Sequence, residues 1–312
     1  MAHTSENPSY TVAPFHWDDL SELSGLLNRL GRHGFRQWPQ SPDLLRSELE
    51  VLRLQPEQDA FILRRSGEIC GYAITLHERD IHRTVISIAS FPECHPHAGP
   101  LLDAAVNRAR NAGVAAVHVA IRDTAAEPVE MVKNRGFVEV TSNLELKLDR
   151  KDAARLEDQP LPSGLSFRKM RSSAETLLLT RVQNTVFEGH WGFSNNTPEE
   201  IQARLDLPAS GPEHVRFAEN ADGDVAAYIW TALEWHIDQT CGRIWMTGVM
   251  PQFRGSGIGK AVVHAGIKHL LAEGATDVHL EVVGHNSAAV RIYEHAGFKT
   301  VGHVDWYELK LR

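Results

Sequence analysis

One segment of the chain joins a strand-like run to an amphipathic stretch and reads Val249-Met-Pro-Gln-Phe-Arg254-Gly255-Ser256-Gly257-Ile258-Gly259-Lys260. Glycines at such a junction let the backbone approach a ligand closely, and the N–H groups that open a helix favour an anion. Arg254 adds positive charge, and Lys260 closes the segment. The chemistry this suits is the cradling of a pyrophosphate, although a plain glycine-rich turn explains the segment by itself. It is not a GxxxxGK[ST] loop, and its glycines fall as GxGxG and not GxGxxG. A second segment runs from Asn286 through Tyr293 to Gly297-Phe298. Asn286 suits a helix cap, Tyr293 lies two turns down the same face, and Gly297 suits a left-handed helix stop. A tyrosine with a pKa of roughly 10 is protonated at neutral pH and can give up a proton. Read alone, the segment is equally a capped helix with a packed ring.

These residues need elements to position them, and hydrophobic spacing supplies candidates. The second half predicts strands at 165–170, 215–218, 225–235, 243–250 and 278–283, and two closing strands at 301–304 and 306–311. Helices are predicted at 174–187, from Thr197-Pro198-Glu199-Glu200 onward, at 257–272 and at 287–296. The loop and the tyrosine segment are then separated by one buried strand, which carries Glu281. The first half repeats this order: strands at 10–13, 60–64, 69–77, 84–91 and 115–121, a closing stretch at 137–148, and helices at 20–30, 42–52, 101–109 and 129–134. The repeat is visible residue by residue. Gly113-Val-Ala-Ala-Val117-His118 matches Gly274-Ala-Thr-Asp-Val278-His279, and Gly136-Phe137 matches Gly297-Phe298 at the same offset of 161. Glu145-Leu-Lys-Leu148 matches Glu308-Leu-Lys-Leu311 a little later. Two copies of one fold are expected: 1–150, a charged and proline-rich linker at 151–164, and 165–312.

Composition agrees with two globular copies. The chain has 312 residues, 42% hydrophobic and 23% charged, enough for a core in each half. Acidic residues outnumber basic ones in both halves and the net charge is −8, which argues against nucleic acid as a partner. No apolar run is long enough for a membrane span, and the first ten residues lack the apolar core of a signal peptide. Cys70, Cys94 and Cys241 are scattered and form no CxxC, as expected for a reduced cytoplasm. The 17 histidines raise the question of a metal. His77-Glu78-Arg-Asp-Ile-His82 is one residue too long for HExxH, and His95-Pro-His97 has no spaced partner, so no metal is expected.

Taken together and in this order, the Arg254–Lys260 loop and the Asn286–Phe298 segment resemble the GNAT superfamily of N-acetyltransferases. The resemblance covers residues 165–311 directly and 10–149 through the internal repeat. The tandem layout is similar to that of the mycothiol synthases within the superfamily. It implies two tandem GNAT folds of the α/β class with a mixed sheet, each mostly antiparallel, with a central strand splay flanked by helices. It implies acetyl-CoA as co-substrate, held by Val249, Arg254, Gly255, Gly257, Ile258, Gly259, Lys260 and Asn286. It implies direct attack of an amine on the thioester, with Tyr293 as general acid. Glu281 resembles the glutamate of the Leu-Glu-Val stretch that acts as base in ribosomal-protein alanine acetyltransferases. Glu234, His236 or a water are the alternatives.

The first copy departs from this pattern. Ala120, Ala125 and Val132 stand where the second has Glu281, Asn286 and Tyr293, and Pro96 and Pro100 remove N–H donors from its loop. It is expected to keep the fold, to have lost the cofactor and to wall part of the acceptor pocket. Trp191 and Trp235 are candidates to line that pocket. The acceptor is expected to be a small-molecule primary amine. A protein N-terminus or lysine, or an inactive acyl-CoA-binding sensor, are the alternatives. The oligomeric state expected is a monomer or weak homodimer.

Overall fold

The structure, a computed structural model, describes residues 8–31, 41–51, 54–123, 126–207, 209–235 and 240–311. Leu20, Leu23, Leu26, Leu27 and Leu30 recur at helical spacing and are all buried, which sets the first long helix against its sheet. The first half contains β1 (Tyr10–Pro14), α1 (Leu20–Gly31), α2 (Pro42–Val51), α3 (Pro56–Asp59), β2 (Ala60–Arg65), β3 (Glu68–Glu78), β4 (Arg83–Ser90), α4 (Gly99–Asn111), β5 (Ala116–Arg122), α5 (Ala126–Lys133) and β6 (Val138–Asp149). The second half contains α6 (Arg150–Ala153), β7 (Leu165–Lys169), α7 (Thr176–Phe187), α8 (Pro198–Leu205), β8 (Val215–Asn220), β9 (Val225–Trp235), β10 (Thr240–Val249), α9 (Ile258–Ala272), β11 (Asp277–Val283), α10 (Ser287–His295) and β12 (Lys299–Lys310).

The element order repeats, as the sequence predicts, and the fold is of the α/β class with a mixed sheet. Within the first copy β1 to β4 pair antiparallel in order, and β4 pairs β5 in parallel. Within the second, β7 to β10 pair antiparallel and β10 pairs β11 in parallel. α9 lies on β9 and β10 through two glycines. A Cβ at Gly266 would strike Ile229, and one at Gly242 would press on Leu270. α8 begins at the expected place, with Thr197 and Glu200 forming a reciprocal capping box.

Three features differ from the expectation. The two closing strands predicted at 301–304 and 306–311 are one continuous strand, β12, which runs through Asp305. The chain also divides into compact units at other places, Met1–Thr141 with Asp305–Arg312, and Ser142–Val304. Residues 143–149 of β6 pair with β11, so the second unit completes its sheet with the end of the first copy. Residues 305–310 of β12 serve the first unit in return: Tyr307 is buried in its core and Glu308 faces His118 at 3.2 Å. The 151–164 segment is also less exposed than its composition suggests. Ala153 is buried, and Leu156 and Leu161 pack on the core of the second unit.

Candidate active site

β10 and β11 pair at three positions only, Cys241↔Asp277, Gly242↔Val278 and Arg243↔His279. Beyond Arg243 the two strands part. β10 continues along β9 to Val249, while β11 continues along β6 to Val283. A bulge between Ile244 and Met246 bends β10 at the point of separation. A wedge with half-exposed walls (Met246 to Val249 on one side) opens toward the glycine loop.

The loop leaves β10 through one tight turn, Pro251–Phe253, and enters α9 at Gly257. Gly255 and Gly257 have φ of +80° and +83°, and a Cβ on either would meet open space. Backbone conformation, not crowding, therefore selects glycine here. Gly259 has the opposite reason. Its Cβ would stand 3.2 Å from Ile292, so it lets α9 lie close to α10. Ile258 is buried and anchors the first turn, and Lys260 sits within that turn. No side chain caps α9 at Gly257; the Lys260 N–H turns back to the Gly257 carbonyl at 3.2 Å, which leaves the Ile258 and Gly259 N–H groups as the open start of the helix. Arg254 is a brace as much as a charge: Nε donates to the Val249 carbonyl (3.2 Å) and Nη2 to the Val186 carbonyl (3.1 Å). The Asn286 side chain accepts from the Ala289 N–H at 3.2 Å and caps α10.

Tyr293 is 7% exposed, packs edge-on against Phe298 and belongs to the core that includes Leu280 and Val282. Burial pushes its phenol up to about 12. Glu281 alternates with Leu280 and Val282 along β11, so it points to the other sheet face, where it is exposed. Tyr293 and Glu281 thus lie on opposite faces of the sheet. Glu281 accepts from Asn143 Nδ2 at 2.7 Å. Glu234 is 1% exposed with no hydrogen bond to either carboxylate oxygen. Burial raises its pKa, and Arg243 and His279 hold that rise back. His236 lies outside the described residues, as does the Trp235 side chain. Trp191 is exposed, four residues beyond the end of α7 in the segment that leads to α8.

Sequence reasoning passed over two residues. Asn143, on β6, is the neighbour of Glu281, and its buried Oδ1 has no partner. Tyr228, opposite Gly248 across β9 and β10, is fully buried with an unpartnered hydroxyl. Its pKa is raised by burial, with Tyr293 close enough to add to the effect. Neither belongs to a spaced motif. Only the pairing of strands far apart in sequence exposes them.

The first unit shows how the equivalent place is filled. Ala120 holds the register position of Glu281, and Val132 is fully buried where Tyr293 would be. The helix after β4 opens at Gly99, and a Cβ there would collide with the guanidinium of Arg135. Arg135 in turn holds Asp103 at 2.6 Å. A side-chain cation and its carboxylate therefore occupy the helix start.

Residues 180–298 match the family model described as acetyltransferase (GNAT) family. A mycothiol acetyltransferase of Paenarthrobacter aurescens (strain TC1) is 29% identical over 258 residues, 81% of this chain and 77% of that protein. One from Nocardiopsis dassonvillei is 42% identical over 94 residues, 28% of each chain. Among solved structures, a tandem GNAT protein from the clavulanic acid biosynthesis pathway superposes with a TM-score of 0.73 at 14% identity, covering 97% of this chain and 98% of that one. A GCN5-related N-acetyltransferase from Sphaerobacter thermophilus gives 0.71 at 17% identity, covering 97% and 96%.

Proposed function

Since residues 180–298 form a GNAT acetyltransferase domain and the protein is an N-acetyltransferase, we propose that it transfers acetyl from acetyl-CoA to the primary amine of a small molecule. The observation that carries this reading is the uncapped start of α9 at the mouth of the β10–β11 wedge. A pyrophosphate accepts from such N–H groups and satisfies them. Gly255 and Gly257 would give it room, Lys260 would add charge, and Arg254 would hold the loop to α7. Ile258 and Gly259 would seat the helix, Asn286 would fix α10, and the free edge of β10 at Val249 would pair with the pantetheine arm.

Acetyl-CoA supplies an activated thioester. The amine loses a proton, adds to the carbonyl carbon, and the C–S bond breaks. Tyr293 gives its phenolic proton to the departing sulfur, and its burial keeps that proton in place throughout the neutral range. Glu281 takes the proton of the incoming ammonium. Asn143 orients Glu281 through Nδ2 and offers Oδ1 to the same ammonium. Glu234 is the less suitable base because it is enclosed, while Glu281 is open to an arriving amine.

The named relatives make the deacetylated form of mycothiol the first acceptor to try. The test is incubation with acetyl-CoA and a panel of that amine, simple amino sugars, polyamines and peptides, with products identified by mass. A thiol reagent would respond to any acceptor thiol as well as to CoA. Turnover of peptides alone would move the reading to a protein acceptor. No turnover with intact acetyl-CoA binding would favour a sensor. Cys70, Cys94 and Cys241 are buried and form no disulfide, which accords with a cytoplasmic site of action.

A further inference from the structure

At the closed end of the wedge four side chains converge that the transfer reaction does not use. Cys241 is the register partner of both Glu234 and Asp277, and His279 is two residues beyond Asp277 on the same face. The Cys241 Sγ, an Asp277 oxygen and a His279 ring nitrogen lie within 4.8 Å of one another. Three of the four are nearly inaccessible: Cys241 3% exposed, Asp277 4% and Glu234 1%. Glu234 is the unexplained member. Its carboxylate lies beside this group, outside the 4.8 Å cluster, with no hydrogen bond to either oxygen and with Arg243 as its ion partner at 3.6 Å.

The first unit provides an internal comparison. In the same register positions it has Glu78, Arg83, Ala116 and His118. There the guanidinium of Arg83 is hydrogen-bonded to Glu78 and satisfies it. In the second unit arginine is replaced by Cys241 and alanine by Asp277. The guanidinium beside the glutamate now comes from Arg243, at the longer distance of 3.6 Å, and a thiol and a second carboxylate have appeared. The exchange trades a directly hydrogen-bonded arginine–glutamate pair for a longer one and adds a second buried carboxylate. A sulfur, an imidazole and two carboxylates are the donor set of a zinc-class ion.

We propose that the second copy binds one divalent transition-metal ion of the zinc class, through Cys241, Asp277, His279 and Glu234, and that this ion pins the closed end of the β10–β11 wedge. Lys147 takes Oδ2 of Asp277 at 3.0 Å, so Oδ1, on the His279 side, is the oxygen offered to the metal. Binding requires the thiolate, and the Cys241 proton is released to solvent. Metal affinity therefore rises with pH. The assignment is independent of the acetyl-transfer reading.

The test uses the full-length chain, stripped with a chelator and titrated with Co²⁺. One equivalent is expected, with a thiolate-to-cobalt charge-transfer band in the near ultraviolet, tetrahedral bands in the visible, and displacement by Zn²⁺. Cys241→Ser should lose the charge-transfer band, and His279→Ala should bind Co²⁺ about tenfold more weakly or worse. Circular dichroism checks that each variant is folded. If Cys241→Ser does not fold, His279→Ala decides, because an unchanged affinity and visible spectrum there would exclude the site. Absence of a charge-transfer band in the parent overturns the proposal. So does a band that persists in Cys241→Ser, which would place the metal at the neighbouring Cys70 and Cys94 of the first unit.

Discussion

Glu281 takes its hydrogen bond from Asn143, a residue diagonal to it across β6 and β11, while its direct partner in register is a second carboxylate, Glu145. An amide beside two carboxylates is well placed for an ammonium. Asn143→Leu should therefore reduce kcat/KM for the amine by about tenfold, the worth of one hydrogen bond to a charged group, and leave acetyl-CoA affinity unchanged. Glu281→Gln should be most damaging at low pH, where the amine arrives protonated. Its defect should shrink as the pH rises and free amine becomes abundant. A defect of equal size at every pH would assign Glu281 to positioning.

Tyr293→Phe removes one oxygen from a packed ring, so folding and acetyl-CoA binding should survive while kcat falls by roughly 10²- to 10⁴-fold. Because burial lifts the phenol to about 12, the wild-type enzyme should show no loss of activity from tyrosinate formation between pH 7 and about 10. A kcat profile that falls within that range in wild type and flattens in Tyr293→Phe would contradict this account.

Gly257 sits at φ +83° with open space where a Cβ would go. Gly257→Ala adds only backbone strain, about 1 kcal/mol, and should weaken acetyl-CoA binding modestly. Gly257→Asp adds a carboxylate at the helix start and should abolish it. Calorimetry on the parent should give one site per chain, since Arg135 and Asp103 fill the corresponding helix start in the first unit. Two equivalent sites would show that the side chains there move aside.

His214 and His269 share a hydrogen bond of 3.1 Å, and both are buried. Burial lowers both pKa values. Arg216, His214 and Lys169 lower His269 further, to about 4, while Glu213 and Glu273 partly restore His214. A histidine that is neutral when folded and protonated when unfolded costs stability as the pH falls below its unfolded value. The melting temperature should therefore drop as pH goes from about 6.5 to about 4, with roughly 3 kcal/mol assignable to His269. Thermal melts of wild type and His269→Leu across that interval give the comparison. Parallel curves would place the acid sensitivity elsewhere.

Local signals in the sequence are specific wherever a backbone constraint acts within a few residues. Thr197-Pro198 with Glu200 marks the start of α8, Gly257 the start of α9, and Asn286 the cap of α10. What the sequence does not reveal depends on pairing between distant strands. Asn143 reaches Glu281 only through β6 and β11, and Glu234 is enclosed only because β10 and β11 close over it. Arg254 reads as a free charge until α7 supplies the Val186 carbonyl. The composition of 151–164 suggests an exposed tether, since nothing local shows that Leu156 and Leu161 will find a core.

The division of the chain bears on its biosynthesis. β5 gains its outer neighbour from residues 305–310, and more than 160 residues separate these from the end of the first unit at 141. At about 5–20 residues per second, a growing chain waits roughly ten to thirty seconds with β5 as an uncovered sheet edge. During that interval the end of β6 has no partner either, because β11 is still unmade. The first unit can therefore close its sheet only after all of the second unit, residues 142–304, has been made.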